Sequence, residues 1–175
     1  MAYTTIDDPS AYFQAALWTG NGGTQSITNG GNSNMQPDWV WTKKRNAAQN
    51  HCVTDSNRGL GNILFPDVTD VESATQLLTS FDSDGFAINN NSLINQNTHT
   101  YVGWQWKANG GTTASNSDGN ITSTVQANTD AGFSIVTYTG NGTDGHTVGH
   151  GLSGNWDLCI LKNRDVNDYW TVSTT

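Results

Sequence analysis

Two histidines and a run of glycines stand out in the segment YTGNGTDGHTVGHGL, residues 138–152. His146 and His150 are four positions apart, a spacing that on a helix would let both bind one metal ion. The glycines, threonines and valine of the segment favour a strand or turn, where four residues span about 13 Å, too far for two ligands of one zinc ion. We therefore expect no metal ion and no cofactor here, and a hairpin turn at the glycines.

The sequence motifs that would indicate phosphate binding or catalysis are incomplete in this chain. The glycine run lacks the lysine of a phosphate-binding loop. Glycoside hydrolysis usually requires two carboxyl groups about 5–10 Å apart, yet the chain has a single glutamate, Glu72. His51 and Cys52 are neighbours and would point to opposite faces of a strand. Asp82 and Asp84 in FDSDGF favour a tight turn over a calcium loop. The sequence thus predicts no catalytic residues and a non-enzymatic protein.

Charge and hydropathy exclude two classes of partner. The net charge is −8 with seven lysines and arginines, too few cations for a nucleic-acid phosphate backbone. No apolar run approaches the roughly 20 residues of a membrane-spanning helix, and residues 1–13 have no secretory leader pattern. Cys52 and Cys159 lie in separate apolar runs and are expected to be buried free thiols.

Short strands joined by turns dominate the predicted secondary structure, because asparagine, threonine, serine and glycine are poor helix formers. A short helix is predicted over residues 67–78, with Asp70 as its N-cap. Together the strands predict an all-β protein, an antiparallel β-sandwich of the jelly-roll kind. The predicted strands are residues 11–18, 25–28, 38–42, 51–55, 62–65, 85–88, 100–108, 121–127, 132–139, 145–149, 158–162 and 169–172.

The sequence contains an internal repeat. FQAALWTGNG from Phe13 recurs as FSIVTYTGNG from Phe133, an offset of 133 − 13 = 120, and PDWVWTKKR from Pro37 recurs as WDLCILKNR from Trp156, an offset of 156 − 37 = 119. We predict a first sandwich unit over residues 1–107 and a linker-like segment over 108–120. Residues 121–175 then form the start of a second unit, or strands that complete the same sandwich.

Aromatic residues are the candidate binding groups, because their faces stack on sugar rings. Trp18 and Tyr138 hold equivalent positions in the two units, each at a strand end beside a glycine loop. They are the candidate glycan-binding residues, and the alternative is that each covers the edge of the core. The other strand tryptophans are expected in the core. These are Trp39, Trp41, Trp104 and Trp106.

Several motifs in fixed order resemble a known module. They are MAYTTIDDPSAYFQAALWTGNG, SITNGG, QPDWVWTKKRNAAQNHCVTDSNRG, LTSFDSDGFAI, YVGWQWKANGG, DAGFSIVTYTGNG and TVGHGL. In this order they resemble a repeated module of marine, cyanophage-like bacteriophage virion proteins, found in tail fibres and appendages. The resemblance covers nearly the whole chain and implies a sandwich like that of concanavalin A-type lectins and glucanases.

The resemblance also implies a function. It implies a structural protein of the virion that displays a lectin-like domain for attachment to the host surface, with other virion proteins and host-surface glycans as partners. It further implies a homo-oligomer, with trimers common among such fibres. The alternatives are a head-decoration or tail-adaptor scaffold without a ligand, and a glycan depolymerase. No catalytic residue and no lectin calcium ligand is carried over to this sequence.

Overall fold

Short strands make up nearly all regular structure in residues 6–175, the part of the chain that this computed structural model describes. One 3-10 turn, Pro9–Ala11, and one short helix, α1, Ser92–Asn95, accompany them. The prediction of an all-β antiparallel sandwich is confirmed. The strands are β1 Phe13–Thr19, β2 Gln25–Thr28, β3 Trp39–Lys44, β4 Cys52–Asp55, β5 Leu78–Asp82, β6 Gly85–Ile88, β7 Thr100–Trp106, β8 Ala114–Asn116, β9 Ser123–Asn128, β10 Phe133–Tyr138, β11 Leu158–Leu161 and β12 Thr171–Thr174.

Two facing sheets form the first unit. One has the strand order β1-β7-β3-β4 and the other the order β2-β6-β5, with every neighbouring pair antiparallel. Alternate residues of each strand point into the space between the sheets, so apolar side chains from both sheets share one core. The Trp18 ring of β1 packs edge-on against the Phe86 ring of β6, with 5.8 Å between the ring centroids.

The faces of β7 are the reverse of those expected. Its inward residues are Tyr101, Gly103 and Gln105. Trp104 and Trp106 lie half-buried on the outer face of the sheet, so their predicted place in the core is wrong. Gly103 explains the choice of face, because a Cβ atom there would lie 3.2 Å from the Trp18 ring. The small residue has to face inward, which turns the tryptophans outward.

The outer face of this sheet carries an aromatic cluster onto which the second unit docks. Phe133 of β10 stacks on Trp106 at 6.2 Å between centroids and meets Trp39 edge-on at 6.4 Å. Farther along the same face, Trp41 packs edge-on against Trp104 and donates its indole N–H to Nδ1 of His51. Trp39 and Trp41 are therefore half-buried on the outer face as well.

Two sequence predictions about connecting segments are corrected. The residues predicted as a linker, 108–120, contain β8, which pairs with β9 in the sheet β10-β9-β8. No helix forms over residues 67–78, since tertiary pairing occupies the backbone there. Ser73 pairs with Ile63, and the amide of Glu72 donates to the carbonyl of Arg164. No helix within residues 6–175 has the length and apolar character needed to cross a bilayer. The expectation about a leader includes residues 1–5, which lie outside the described part.

The internal repeat recurs in three dimensions. β1 begins at Phe13 and β10 at Phe133, an offset of 133 − 13 = 120. β3 and β4 begin at residues 39 and 52, and β11 and β12 at residues 158 and 171, an offset of 119 in both cases. Trp39 pairs with Asp55 in the first hairpin and Leu158 with Thr174 in the second, so their registers are also equivalent.

Candidate binding groove beside Tyr138

Trp18 is part of the core. Its side chain is 7% exposed, its ring stacks on Tyr101 at 5.4 Å and 13° between planes, and its indole N–H donates to the carbonyl of Ile94 at 3.0 Å. The strand turns Leu17, which is 64% exposed, toward solvent instead. With one face stacked and its N–H bonded, Trp18 belongs to the buried core of the first unit and offers no free surface to a ligand.

Tyr138 lies at the surface. It ends β10 and is 45% exposed, beside a groove of about 280 Å³. Hydroxyl groups and a single cation dominate the groove, which makes it polar, with neutral hydrogen-bond donors and acceptors around one aromatic face. Its other lining side chains include Ser115, Thr122, Thr124, Thr137, Thr139 and Arg164.

β8, β9 and β10 place these hydroxyls. Tyr138 pairs with Ser123, and Thr137 pairs with Thr124 on the next rung, so two threonines lie beside the tyrosine at the end of the sheet. The Ser123 hydroxyl is buried and donates to the carbonyl of Gly149. Asn57 of the first unit donates to the carbonyl of Thr124 and to Oγ1 of Thr137, which anchors this end of the ladder to the first sandwich.

An ion network holds Arg164 at the groove. Its Nε and Nη2 atoms donate to the two carboxylate oxygens of Glu72 at 2.9 and 2.6 Å. Glu72 also accepts from Arg58 at 2.8 Å, and Arg58 in turn contacts Asp55 at 2.5 Å. Nη1 of Arg164 has no protein partner within residues 6–175, so it remains able to donate to a ligand in the groove.

The same network shows what Glu72 does. Burial acts to raise the pKa of Glu72, but the hydrogen bonds and charges of Arg164 and Arg58 outweigh it and hold the pKa below its usual value of 4.5. An ionised carboxylate held by two arginines is a poor general acid. Glu72 thus acts as an electrostatic link between the two units, a role that its isolated position in the sequence does not indicate.

The histidines and glycines at 138–152 have local structural contacts. His146 Nδ1 is 2.8 Å from the side-chain amide of Asn141, and His150 Nδ1 accepts from the amide of Leu152. Gly142 and Gly145 have φ angles of 73° and 74°, as the turn prediction requires. Within residues 6–175, no three His, Cys, Asp or Glu side chains are grouped to hold a metal ion.

The remaining candidate groups also have structural surroundings. Burial raises the pKa of the Cys52 thiol to about 12, which removes its nucleophilic character at neutral pH. His51 accepts the indole N–H of Trp41. Both cysteines are free, as predicted, although Cys159 is half-buried. Asp82 and Asp84 flank the β5–β6 turn, where Asp84 accepts from the amide of Met35.

A second, larger groove lies at the opposite end of the β9–β10 hairpin, beside its turn. It measures about 470 Å³ and is lined by Tyr12, Lys107, Asn109, Asn128 and Asp130, among others. Its lining combines a lysine and an aspartate with side-chain amides of asparagines, and Tyr12 there is only half-exposed. We give the Tyr138 groove priority because it combines a freely exposed aromatic face with a cation that can still donate.

Sequence reasoning found one of the groove residues and missed the others. Arg164 aligns with Arg45 in the repeat, but only the fold brings it beside Tyr138. The consecutive hydroxyl residues at 122–124 and the threonines at 137 and 139, on either side of Tyr138, are visible in the sequence. They indicate a polar surface on these strands, and they do not indicate which other residues the fold brings beside it.

By its fold and groove, the protein is an all-β sandwich with a hydroxyl-lined surface site and no metal cluster within residues 6–175. Residues 8–175 match the family described as Domain of unknown function (DUF7483). The chain therefore belongs to the DUF7483 family. Neither a curated protein nor a solved structure matches the chain.

Proposed function

We propose that this protein is a non-enzymatic structural protein of a bacteriophage particle that attaches to host-surface glycans through the Tyr138 groove. The observation that carries the binding part of the proposal is the groove itself. It presents a 45% exposed tyrosine, hydroxyl side chains and the free Nη1 of Arg164. The placement in a virion, in a tail fibre or an appendage, rests on the resemblance of the motifs in the sequence.

The chemistry of the groove suits a neutral sugar better than an anion or an apolar ligand. An aromatic face packs against the C–H surface of a pyranose ring, while hydroxyls and a guanidinium exchange hydrogen bonds with its hydroxyl groups. The charge of Arg164 is largely compensated by Glu72, with which it forms a bidentate ion pair. Hydroxyl side chains carry no charge to desolvate on binding.

Such a shallow groove predicts weak binding at each site. Display of several copies on one particle would turn weak contacts into firm attachment, because the second contact forms at a high effective concentration. Multivalent attachment is consistent with the homo-oligomeric, fibre-like arrangement that the resemblance implies, and it requires no catalytic activity.

Glycan binding by purified protein tests the groove. On an array of host-surface glycans we expect measurable binding, and Tyr138→Ala should weaken it about tenfold, the equivalent of about 1.4 kcal/mol. The matched control is Tyr169→Ala, which removes a tyrosine that is 80% exposed and outside the groove. Tyr138→Phe should retain most of the affinity, because it keeps the ring.

Two results would overturn parts of the proposal. If no glycan binds, or if Tyr138→Ala and Tyr169→Ala behave alike, the groove is not the attachment site and the scaffold alternative gains. If antibodies against the protein fail to label intact particles in electron microscopy, the virion placement is wrong. Release of reducing sugar from host polysaccharide would contradict the non-enzymatic assignment.

A further inference from the structure

We propose that the free edge of β11 is a docking site for an extended strand of the β7 type, which pairs with β11 as β7 pairs with β3. The proposal concerns a second surface, separate from the Tyr138 groove and independent of glycan binding. Its occupant is an extended segment without acidic residues that has bulky apolar residues at every second position and is followed by a glycine turn, as in YVGWQWKANGG.

Two hairpins of the protein are structurally equivalent. β3–β4 and β11–β12 have the same strand order, the same antiparallel register and a constant offset of 119 residues. The equivalence continues past the second strand. The amide of Ser56 donates to the carbonyl of Asp38 at 2.8 Å, and the amide of Thr175 donates to the carbonyl of Asp157 at 3.3 Å, again 119 residues apart.

β3 has a neighbouring strand on each side, whereas β11 has one within residues 6–175. β3 pairs with β4 and, across its other edge, with β7 from Trp39↔Trp106 to Lys44↔Tyr101. Within residues 6–175, β11 forms a two-stranded sheet with β12 and has no ladder on its other edge. Unpaired strand edges carry free amide and carbonyl groups that readily accept another strand.

Apolar side chains of the β11–β12 hairpin are exposed, unlike their equivalents in the β3–β4 hairpin. Val40 and Val53 of the first hairpin are fully buried, whereas Val172, the equivalent of Val53, is 61% exposed. Leu161 is 42% exposed, and its equivalent in the first hairpin, Thr42, is 2% exposed. Apolar groups that remain at the surface of a hairpin of this size are typical of an interaction site.

Two equivalent aspartates, Asp38 and Asp157, differ in burial and in their partners. The buried carboxylate of Asp38 accepts the amides of Ala108, Gly110 and Gly111, which directly follow β7. It thereby fixes the end of the strand that pairs with β3. The equivalent carboxylate, that of Asp157, is exposed and has no hydrogen-bond donor within residues 6–175. Its negative charge complements the amide groups of a glycine turn that follows a docked strand.

The equivalence of the two hairpins also defines the register. In the first unit, Trp39 and Trp41 of β3 lie opposite Trp106 and Trp104 of β7. A strand docked on β11 in the same way would place its two bulky residues opposite Leu158 and Ile160, which are 58% and 44% exposed. The two apolar side chains would be covered, and the turn after the strand would reach Asp157.

A peptide probe tests the proposal. We would use a fluorescein-labelled peptide of residues 99–112, which contains β7 and the turn that Asp38 holds, and a scrambled peptide of the same composition. We expect saturable binding of the first peptide by fluorescence anisotropy and none of the second. Hydrogen exchange should slow at the β11 amides that point away from β12.

Asp157→Asn is the diagnostic variant, with Asp165→Asn as its control because Asp165 is another exposed aspartate of the same unit. We expect Asp157→Asn to weaken the peptide about five- to tenfold, since an amide oxygen accepts hydrogen bonds more weakly than a carboxylate. Asp165→Asn should leave the affinity unchanged. To offset weak binding, the same segment is also fused behind Thr175 through a flexible linker of about 20 residues.

Three outcomes would overturn the proposal. The first is no anisotropy change up to about 1 mM peptide together with no new protection at β11 in the fusion. The second is binding that Asp157→Asn and Asp165→Asn affect equally, or protection at segments other than β11. The third is self-association of the protein, seen by analytical ultracentrifugation, that protects β11 without peptide, because a second copy would then be the occupant.

Discussion

The hairpins β3–β4 and β11–β12 have the same register but very different surroundings. Every residue of β4 is buried, and every residue of β12 is exposed. In the first unit, β7 covers one edge of β3 and a second sheet covers the inner face. Hairpin register thus follows from local pattern and turn spacing, whereas burial depends on which other strands are present.

A second contrast concerns the equivalent aromatic positions Trp18 and Tyr138. Each is the sixth residue of the repeated segment, yet Trp18 is 7% exposed and Tyr138 is 45% exposed. Trp18 lies over Gly103 and against Phe86, so it has a sheet on the opposite side. Tyr138 lies at the end of β10 beside the open groove. The same position in the repeat therefore serves stability in one unit and is free to bind in the other.

The largest expected effect on stability is that of replacing Trp18, which tests the contrast between a buried Trp18 and an exposed Tyr138. Trp18→Ala should lower the free energy of unfolding by about 3–5 kcal/mol, because it leaves a cavity in a packed core and removes a hydrogen bond to a buried carbonyl. Tyr138→Ala should change stability by less than about 0.5 kcal/mol. Urea denaturation followed by far-ultraviolet circular dichroism measures the free energy of unfolding of both variants. Equal losses would contradict the contrast between core and surface.

The second-largest expected effect on stability distinguishes Asp38 from its equivalent, Asp157. Asp38→Ala should destabilise the protein by about 2–4 kcal/mol, since the buried amide of Ala108, the amides of Gly110 and Gly111 and the hydroxyl of Ser56 would lose their acceptor. Asp157→Ala should be nearly neutral in the protein alone. Thermal unfolding at one fixed pH makes the comparison, and a large loss with Asp157→Ala would show that its carboxylate already has a structural role.

The smallest effect tests the ion network that joins the units. The pKa of Glu72 is lowered in the folded protein, so its stabilising contribution is present above the usual value of 4.5 and is lost as the pH falls through the lower, folded value. We expect Glu72→Gln to cost about 1–2 kcal/mol at neutral pH. The difference from the parent protein should shrink as the pH is lowered below 4.5. A difference independent of pH would exclude this electrostatic role.

Alternation in single strands proved a weak guide to which face is buried. YVGWQW has Val102, Trp104 and Trp106 at every second position, and this pattern alone favours tryptophans inside. The fold places Gly103 inside, because the large Trp18 and Phe86 rings meet there and require the space. Once the outer face is aromatic, Phe133 can dock on it. The packing of two sheets is a non-local property, and the period of one strand does not contain it.

Local chemistry by itself determined much of this protein. Composition and turn residues established the all-β class, the repeat established the equivalence of the two units, and the spacing of His146 and His150 argued against a shared metal site. Tertiary structure alone decided that Trp18 is buried while Tyr138 is exposed, and that Arg164 reaches Glu72 and the groove. It also decided that Asp38 is enclosed while Asp157 is open. The reason is physical: strand tendency and turns depend on neighbours in sequence, but burial and charge pairing depend on neighbours in space.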